Sequence, residues 1–341
     1  MEIGIFGSRE DSQCKLLDKA LTRRGVKVVL VESSAINHGE DFSYADGHFY
    51  YQGKILDEVK AWFLRYVMSP LPPIFRADEE YVLFEDWFNE YMHRQERYSF
   101  ELAMVLSWGA RGIPVVNPPE NGGVLQIKTF QLDMARKSGL NIPRTLVTNH
   151  KQRVLDFKAE VGDIVYKPSM GGGLCRPFGD VAMKELDLLT ASPVIFQEQV
   201  KGVAVRVTIV GEEVVSCVRI PSTYLDYREN PAYQRGDQIY PAEFLPEEVR
   251  INSIALMREC GLLFSGIDFV LQDDGRWVFL EANSSPIYQD IEYKTHVSIT
   301  DALADYLLLL ANDPGRYKEA VKQAVRTKSF VKYSIGSGSN K

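Results

Sequence analysis

Apolar and polar positions along the chain follow two different periods. Residues 2–7, EIGIFG, form a short apolar run that ends in glycine, and residues 26–32, VKVVLVE, form a second. Between them, residues 14–24 carry the three-to-four spacing of a helix. Strand, helix and strand in that order predict a βαβ opening and an α/β layer. The segment SPLPPIF (69–75) breaks the pattern, and residues 79–111 then read as a helical stretch rich in aromatic residues. GIPVVNPP (112–119) is a short strand closed by two prolines, and a domain boundary is expected there.

The second half alternates more regularly. Residues 121–139 predict a loop and an amphipathic helix, with Gly139 as its stop. A strand is expected at 142–149, and another at 163–173 that runs into a glycine-rich loop. Further strands are expected at 194–200, 205–211 and 213–220, a helix at 246–260, a strand pair at 266–283 and a helix at 300–311. The tail GSGSN (336–340) has linker composition, and no internal repeat is visible.

The strand pair, GIDFVLQDDGRWVFLEAN, poses a chemical question. Asp274-Gly275 between two apolar runs signals a hairpin. A two-residue turn there sets Asp273 against Arg276 and, stepping outward, Asp268 against Glu281. Period two then puts Asn283, Phe279 and Trp277 on the face of Glu281. Ile267, Phe269, Leu271, Val278, Leu280 and Ala282 make the opposite, core face. Two carboxylates directly opposite each other destabilise a sheet. A shared proton, an arginine or a divalent cation would relieve them. With the Asn283 carbonyl the face offers three oxygen ligands, a set that suits Mg²⁺. A solvated polar edge or a structural salt bridge is the plain alternative.

A Mg²⁺ site of this kind calls for phosphates, and so for lysines and glycines. The chain has no GxxxxGK[ST] motif. YKPSMGGG (166–173) instead supplies Lys167 on a strand and Gly171, Gly172 and Gly173 after it, whose bare backbone could approach phosphate closely. A flexible surface loop would have the same composition. Lys128 is a second candidate, with a solvated helix lysine as its ordinary reading. Arg206 and Arg219 sit in apolar strands and need partners, either phosphate or one of the 46 acidic residues.

Composition narrows the classes. The chain has 341 residues, a net charge of −7 and a pI near 5.4. It lacks the basic stripe of a nucleic-acid binder. Its four cysteines are scattered without zinc spacing, which fits a reducing cytoplasm. The N-terminus does not read as a signal peptide, and the longest aliphatic run, YLLLLA (306–311), is too short for a membrane span. A soluble cytoplasmic protein is expected. The five histidines fit none of the motifs, and no Ser/His/Asp or Cys/His constellation stands out.

The order of these features is distinctive: helix Lys128, strand Lys167 with its glycines, the strand QEQV, two strand arginines, then Asp268, Glu281 and Asn283. It resembles the ATP-grasp superfamily, and within it the RimK-like ligases and the graspetide (microviridin-type) peptide macrocyclases. GLNIPRTLVTN (139–149) and GIDFVLQDDGRWVFLEANSSP are the most similar stretches, and the resemblance covers about residues 117–310. It implies an α/β (α+β) ATP-grasp fold behind an N-terminal Rossmann-like pre-ATP-grasp domain at 1–117. A lid subdomain would occupy 118–192, a metal-bearing subdomain 193–315, and a helix and tail 316–341. Lys128 and Lys167 would hold the α- and β-phosphates of ATP, under a lid formed by Gly171, Gly172 and Gly173. Gln197, Glu198, Gln199 and Val200 would form the adenine hinge. Arg206 and Arg219 would face the γ-phosphate and an acyl phosphate, with Asp268, Glu281 and Asn283 carrying two Mg²⁺ ions. Asp226 and Arg228, in STYLDYREN, would contact substrate. The implied reaction joins a carboxylate to an amine or hydroxyl, on a peptide or amino-acid-like substrate, through an acyl phosphate. A phosphate-transferring kinase and a degenerate nucleotide-binding regulator are the alternatives. Charge and hydropathy argue against a nucleic-acid or membrane partner, and the oligomeric state stays open, with the homo-oligomer common in the superfamily as one alternative. Two positions depart from the family: Ala204 stands where an acid is usual, and Gln199 where an apolar or aromatic residue is usual.

Overall fold

The computed structural model describes residues 1–33, 40–65, 85–119, 127–168 and 174–322. The Pro-rich segment at 69–75, the glycines 171–173 and the tail at 336–340 lie outside the described residues. The chain is mixed α/β and divides into two compact units, Met1–Glu120 with Thr300–Glu319, and Asn121–Ile299 with Ala320–Lys341.

The first unit begins as the sequence predicts. Strands β1 (Glu2–Gly7) and β2 (Lys27–Glu32) are parallel and joined by α1 (Ser12–Arg23). Asp11 caps that helix, accepting from the backbone N–H of Gln13 and Cys14 at 2.8 and 3.0 Å. A three-stranded meander follows: β3 (Phe42–Ala45), β4 (His48–Tyr51) and β5 (Lys54–Ile55). Strands β6 (Trp62–Leu64) and β7 (Val115–Val116) complete a parallel sheet in the order β2-β1-β6-β7. Between them runs α2 (Glu85–Ala110). Its Trp108 stacks on Trp62, centroids 4.1 Å apart. Gly4 leaves room for that indole, since a Cβ there would lie 2.1 Å from the Trp62 ring. Arg24 ties residues 300–319 into this unit through Asp301 at 2.7 Å and Asp305 at 2.6 Å.

The second unit carries two antiparallel sheets. One has the order β10-β9-β11-β8, built from β8 (Thr145–Thr148), β9 (Ile164–Lys167), β10 (Arg176–Pro177) and β11 (Val194–Glu198). Its apolar face packs Ile164 and Phe196 against Val154, Phe178, Leu186 and Leu189. Val154 belongs to α4 (Lys151–Val161), a helix the sequence reading passed over. It buries only that one residue fully, so its periodic signal is weak. The helix before it, α3 (Lys128–Lys137), stops as expected at Gly139, which takes φ +87°.

The other sheet has the order β13-β12-β14-β15, from β12 (Val203–Val210), β13 (Glu213–Ile220), β14 (Phe264–Leu271) and β15 (Trp277–Asn283). One face is core: Val205, Val207, Ile209, Ile267, Phe269, Phe279 and Ala282 pack with Leu132 and Ala135 of α3 and Leu256 and Met257 of α5 (Glu247–Cys260). No helix among the described residues is long and apolar enough to cross a membrane.

The hairpin corrects the expected register in an instructive way. The turn has three residues rather than two, because Gln272 pairs with Arg276 (N to O, 2.9 Å) and Gly275 takes φ +84°. Leu271 therefore faces Trp277 and Phe269 faces Phe279, which puts both aromatics on the core face and not beside Glu281. A bulge at Leu280 then shifts the register by one, and Asp268 meets Glu281 after all.

Candidate functional site

The polar face of the second sheet is built by strand alternation. Arg206 on β12 is the Cα partner of Asp268 on β14, and Asp268 that of Glu281 on β15. Directly paired residues share a face, so Arg206, Asp268 and Glu281 form a row across three strands. Asn283 stands one step along, opposite Gly266. The absence of a side chain at Gly266 is steric. A Cβ would lie 2.8 Å from Pro286 and 3.3 Å from the Arg206 stem.

Each carboxylate has its own cation. Arg206 grips Asp268 with two parallel bonds, Nε to Oδ1 and Nη2 to Oδ2, both 2.7 Å. Lys128, the first residue of α3, donates to Glu281 Oε2. Asn283 Nδ2 reaches Asp268 Oδ2 at 3.3 Å and Glu281 Oε1 at 3.5 Å. The three side chains of the sequence-derived set therefore converge.

Lys167 comes from the other sheet. It is the Cα partner of Ile195, and Val165 that of Gln197, so Lys167 shares a face with Ile195 and Gln197. That face is opposite the one that packs Ile164 and Phe196. Lys167 is 9% exposed. Burial pushes its pKa down, the nearby Lys128 ammonium pushes it further, and Glu281 partly counters both. For Glu281, burial alone would raise the carboxyl, but Lys128, then Lys167 and Arg206, hold it below its ordinary value. Asp268 moves the other way. Burial raises it, Glu281 adds to the rise, and Arg206 offsets only part. Burial opposes the charge on Arg206, yet Asp268 more than reverses this and the guanidinium pKa is raised.

The segment after β13 closes one side. Asp226 accepts from the Arg228 backbone N–H at 3.1 Å and from its guanidinium at 2.8 Å, and from the Cys175 N–H at 3.4 Å. Burial raises the Asp226 carboxyl, but Arg228 outweighs it and the net direction is down. The Asp226 pair raises the Arg228 pKa, and Glu281 adds to that rise electrostatically. The structure adds Tyr227, which the sequence reading did not single out. Its hydroxyl accepts from Arg206 Nη2 at 3.0 Å, and Arg206 Nη1 donates to the Ile287 carbonyl at 3.4 Å. Its position between Asp226 and Arg228 was the only signal available in sequence.

Other expected residues lie apart from this row. Arg219 is the Cα partner of Val205, a core-face position, so it points away from Arg206. It pairs instead with Glu243. In the expected hinge, Gln197 is buried and donates to Thr145 Oγ1 at 2.9 Å. The Glu198 carboxylate accepts from the Arg144 N–H at 3.1 Å, and the Gln199 N–H donates to the Asp163 carbonyl at 2.9 Å. Ala204 on β12 is the Cα partner of Ile220 and Val270, so apolar neighbours flank it.

Counted at their formal charges, three carboxylates (Asp226, Asp268, Glu281) and four cations (Lys128, Lys167, Arg206, Arg228) leave one positive charge in excess, which favours an anion. Among the described residues no three His, Cys, Asp or Glu side chains form a metal cage by themselves. A cation here would rest on two carboxylates and the Asn283 amide, which presents its oxygen to the same place when turned end for end. That all-oxygen set fits Mg²⁺, which is commonly held by one or two carboxylates together with substrate phosphates.

Residues 180–307 match the RimK-like ATP-grasp domain. The fold is similar to that of the ATP-grasp ligase PsnB in complex with minimal precursor, Mg and ADP, with a TM-score of 0.77 and 27% identity over 91% of this chain and 97% of that one. The macrocyclase MdnC of Microcystis aeruginosa, bound with precursor peptide MdnA, shares the fold with a TM-score of 0.74 at 24% identity, over 90% of this chain and 99% of that one. A probable alpha-L-glutamate ligase of Shewanella amazonensis is 29% identical over 192 residues, 53% of this chain and 62% of that protein. The tetrahydromethanopterin:alpha-L-glutamate ligase of Methanocaldococcus jannaschii is 26% identical over 60% of this chain and 73% of that protein. The chain thus spans less than two-thirds of the length of the Shewanella amazonensis ligase.

Proposed function

We propose that this chain, with a RimK-like ATP-grasp domain at residues 180–307, is an ATP-dependent ligase that joins a carboxylate to an amine or hydroxyl. The observation that carries the reading is the row Arg206–Asp268–Glu281–Asn283, flanked by Lys128 and Lys167. A half-buried pair of carboxylates beside three cations is a poor binding face for an apolar ligand and a suitable one for Mg²⁺–triphosphate. In this reading residues 118–192 act as the lid part and 193–315 as the metal-bearing part.

Lys128 and Lys167 hold the α- and β-phosphates. Arg206, oriented by Asp268 and Tyr227, faces the γ-phosphate. Asp268, Glu281 and Asn283 would hold two Mg²⁺ ions, which would supply charge neutralisation at the transferring phosphoryl group. The Glu198 carboxylate and Gln199 N–H are already engaged, so the Val200 backbone carries most of the adenine contact. Arg219 has no part in the site.

The substrate carboxylate oxygen attacks the γ-phosphorus. A new O–P bond forms, the bond to the β-phosphate oxygen breaks, and ADP leaves. The amine or hydroxyl then attacks the acyl carbon, loses its proton and displaces inorganic phosphate. Arg228, anchored by Asp226 and partly exposed, is placed to meet an acidic substrate group. The near-complete coverage of PsnB in its complex with precursor peptide PsnA2 supports a peptide substrate over a small amino acid. A cytoplasmic homo-oligomer completes the reading, and a light-scattering mass of one chain would sink that last part.

Hydroxylamine trapping tests the chemistry. With ATP, Mg²⁺ and an acidic peptide, a ligase yields a hydroxamate and ADP. A stable phosphorylated product without hydroxamate would instead indicate phosphoryl transfer to a hydroxyl and overturn the proposal.

A further inference from the structure

We infer that Gln131 is a positioning residue that holds the metal-facing strand in register, an inference that rests on the Mg²⁺ reading above. Among the described residues β15 is the edge strand of its sheet, met on its outer side by an isolated bridge between Asn141 and Val278. At residue 282 the Gln131 side chain is the partner. Its Nε2 donates to the Ala282 carbonyl at 3.0 Å and its Oε1 accepts from the Ala282 N–H at 2.9 Å. A primary amide offers the same donor and acceptor pair as a peptide unit, so it substitutes for a neighbouring strand at one residue.

The location gives this clamp its consequence. Ala282 lies between Glu281 and Asn283, the two ligands that β15 contributes. One step earlier, at Leu280, the bulge interrupts the ladder to β14. A bulged strand loses a paired residue and bends locally, so the register that sets Glu281 against Asp268 is weakest there. Asn141 seals the outer edge before the bulge, accepting from the Phe279 N–H at 2.8 Å and donating to the Trp277 carbonyl at 3.2 Å. Gln131 seals it after the bulge. Gln131 is 4% exposed and sits one helical turn after Lys128, which holds Glu281 itself. Helix α3 thereby grips two consecutive residues of β15, one by side chain and one by backbone.

The test measures metal binding directly, by the electron paramagnetic resonance of free Mn²⁺ titrated against the full-length protein with ADP. Gln131→Met keeps the size and removes both bonds. Gln131→Glu keeps the acceptor for the Ala282 N–H and sets a carboxylate against the Ala282 carbonyl. Both variants are expected to bind Mn²⁺ at least about 10-fold more weakly, the usual loss when a residue that orients metal ligands is removed. Thermal melts run alongside identify any variant that fails to fold, and the folded one of the pair is then read. Wild-type Mn²⁺ affinity in a folded variant with a lowered melting temperature would make Gln131 merely structural and overturn the inference. Glu281→Gln in the same titration separates the two levels. If it too binds Mn²⁺ like the wild type, the metal reading fails; if it alone loses binding, only the role of Gln131 does.

Discussion

Asp268 and Glu281 face each other across β14 and β15, yet each is neutralised from a different direction, by Arg206 and by Lys128. The two carboxylates therefore differ in what their loss costs. Arg206 is buried and leans on Asp268 with two bonds. Asp268→Ala should destabilise the fold by about 3–5 kcal/mol, because it leaves a buried guanidinium unpaired. Urea denaturation would measure this, and a loss below about 1 kcal/mol would mean that the pair is well hydrated.

Lys167 predicts the opposite balance between stability and binding. Its buried ammonium is disfavoured without a phosphate, and Lys128 adds repulsion. Lys167→Met should stabilise the ligand-free protein, by roughly 0.5–2 kcal/mol as for other functionally strained positions. It should also weaken ATP by about 10- to 100-fold through loss of a charged hydrogen bond. Calorimetric titration together with a melt tests both. Lower stability with unchanged affinity would contradict the role given to this lysine.

The pH response of Glu281 has a defined sign. Its native pKa lies below the ordinary value of 4.5. Its contribution to stability is complete above that value and is lost as the pH falls through the native pKa. Asp268 is shifted upward, so the signal is read as a difference between proteins. From pH 7 to pH 3 the wild type should lose more stability than Glu281→Gln. Parallel curves would mean that Glu281 gains nothing from Lys128.

Gly266 supports the row by leaving space. Gly266→Ala would force its methyl against Pro286 at 2.8 Å and the Arg206 stem at 3.3 Å. Overpacking of this kind costs about 1–3 kcal/mol. A lowered melting temperature and slower ATP turnover are expected together, and an unchanged melt would show that the 286 segment yields freely.

Much of this was legible in the sequence because strand alternation is a strong signal. β12, β13 and the hairpin strands read directly from their apolar runs, and the three converging polar side chains Asp268, Glu281 and Asn283 from the breaks in them. The Asp268–Glu281 pairing emerged from two departures that cancel, a longer turn and a bulge. Neither has a sequence mark strong enough to choose it beforehand, and Trp277 and Phe279 were placed on the wrong face as a result. Arg219 was grouped with Arg206 by residue type, whereas β13 is antiparallel to β12 and its register sets Arg219 against Val205. Helix α4 buries only Val154 fully, and the meander β3–β5 consists of strands of four residues or fewer. Gln131 and Tyr227 act through contacts with residues far along the chain, at positions 282 and 206. No local pattern marks such contacts.

The central claim is that the Asp268–Glu281–Asn283 face holds Mg²⁺-nucleotide for carboxylate activation. Mg²⁺-dependent ADP release by Glu281→Gln, compared with the wild type in the presence of an acidic peptide, tests it most directly. Turnover is expected to be abolished while the circular dichroism spectrum is unchanged. Full turnover in this variant would contradict it.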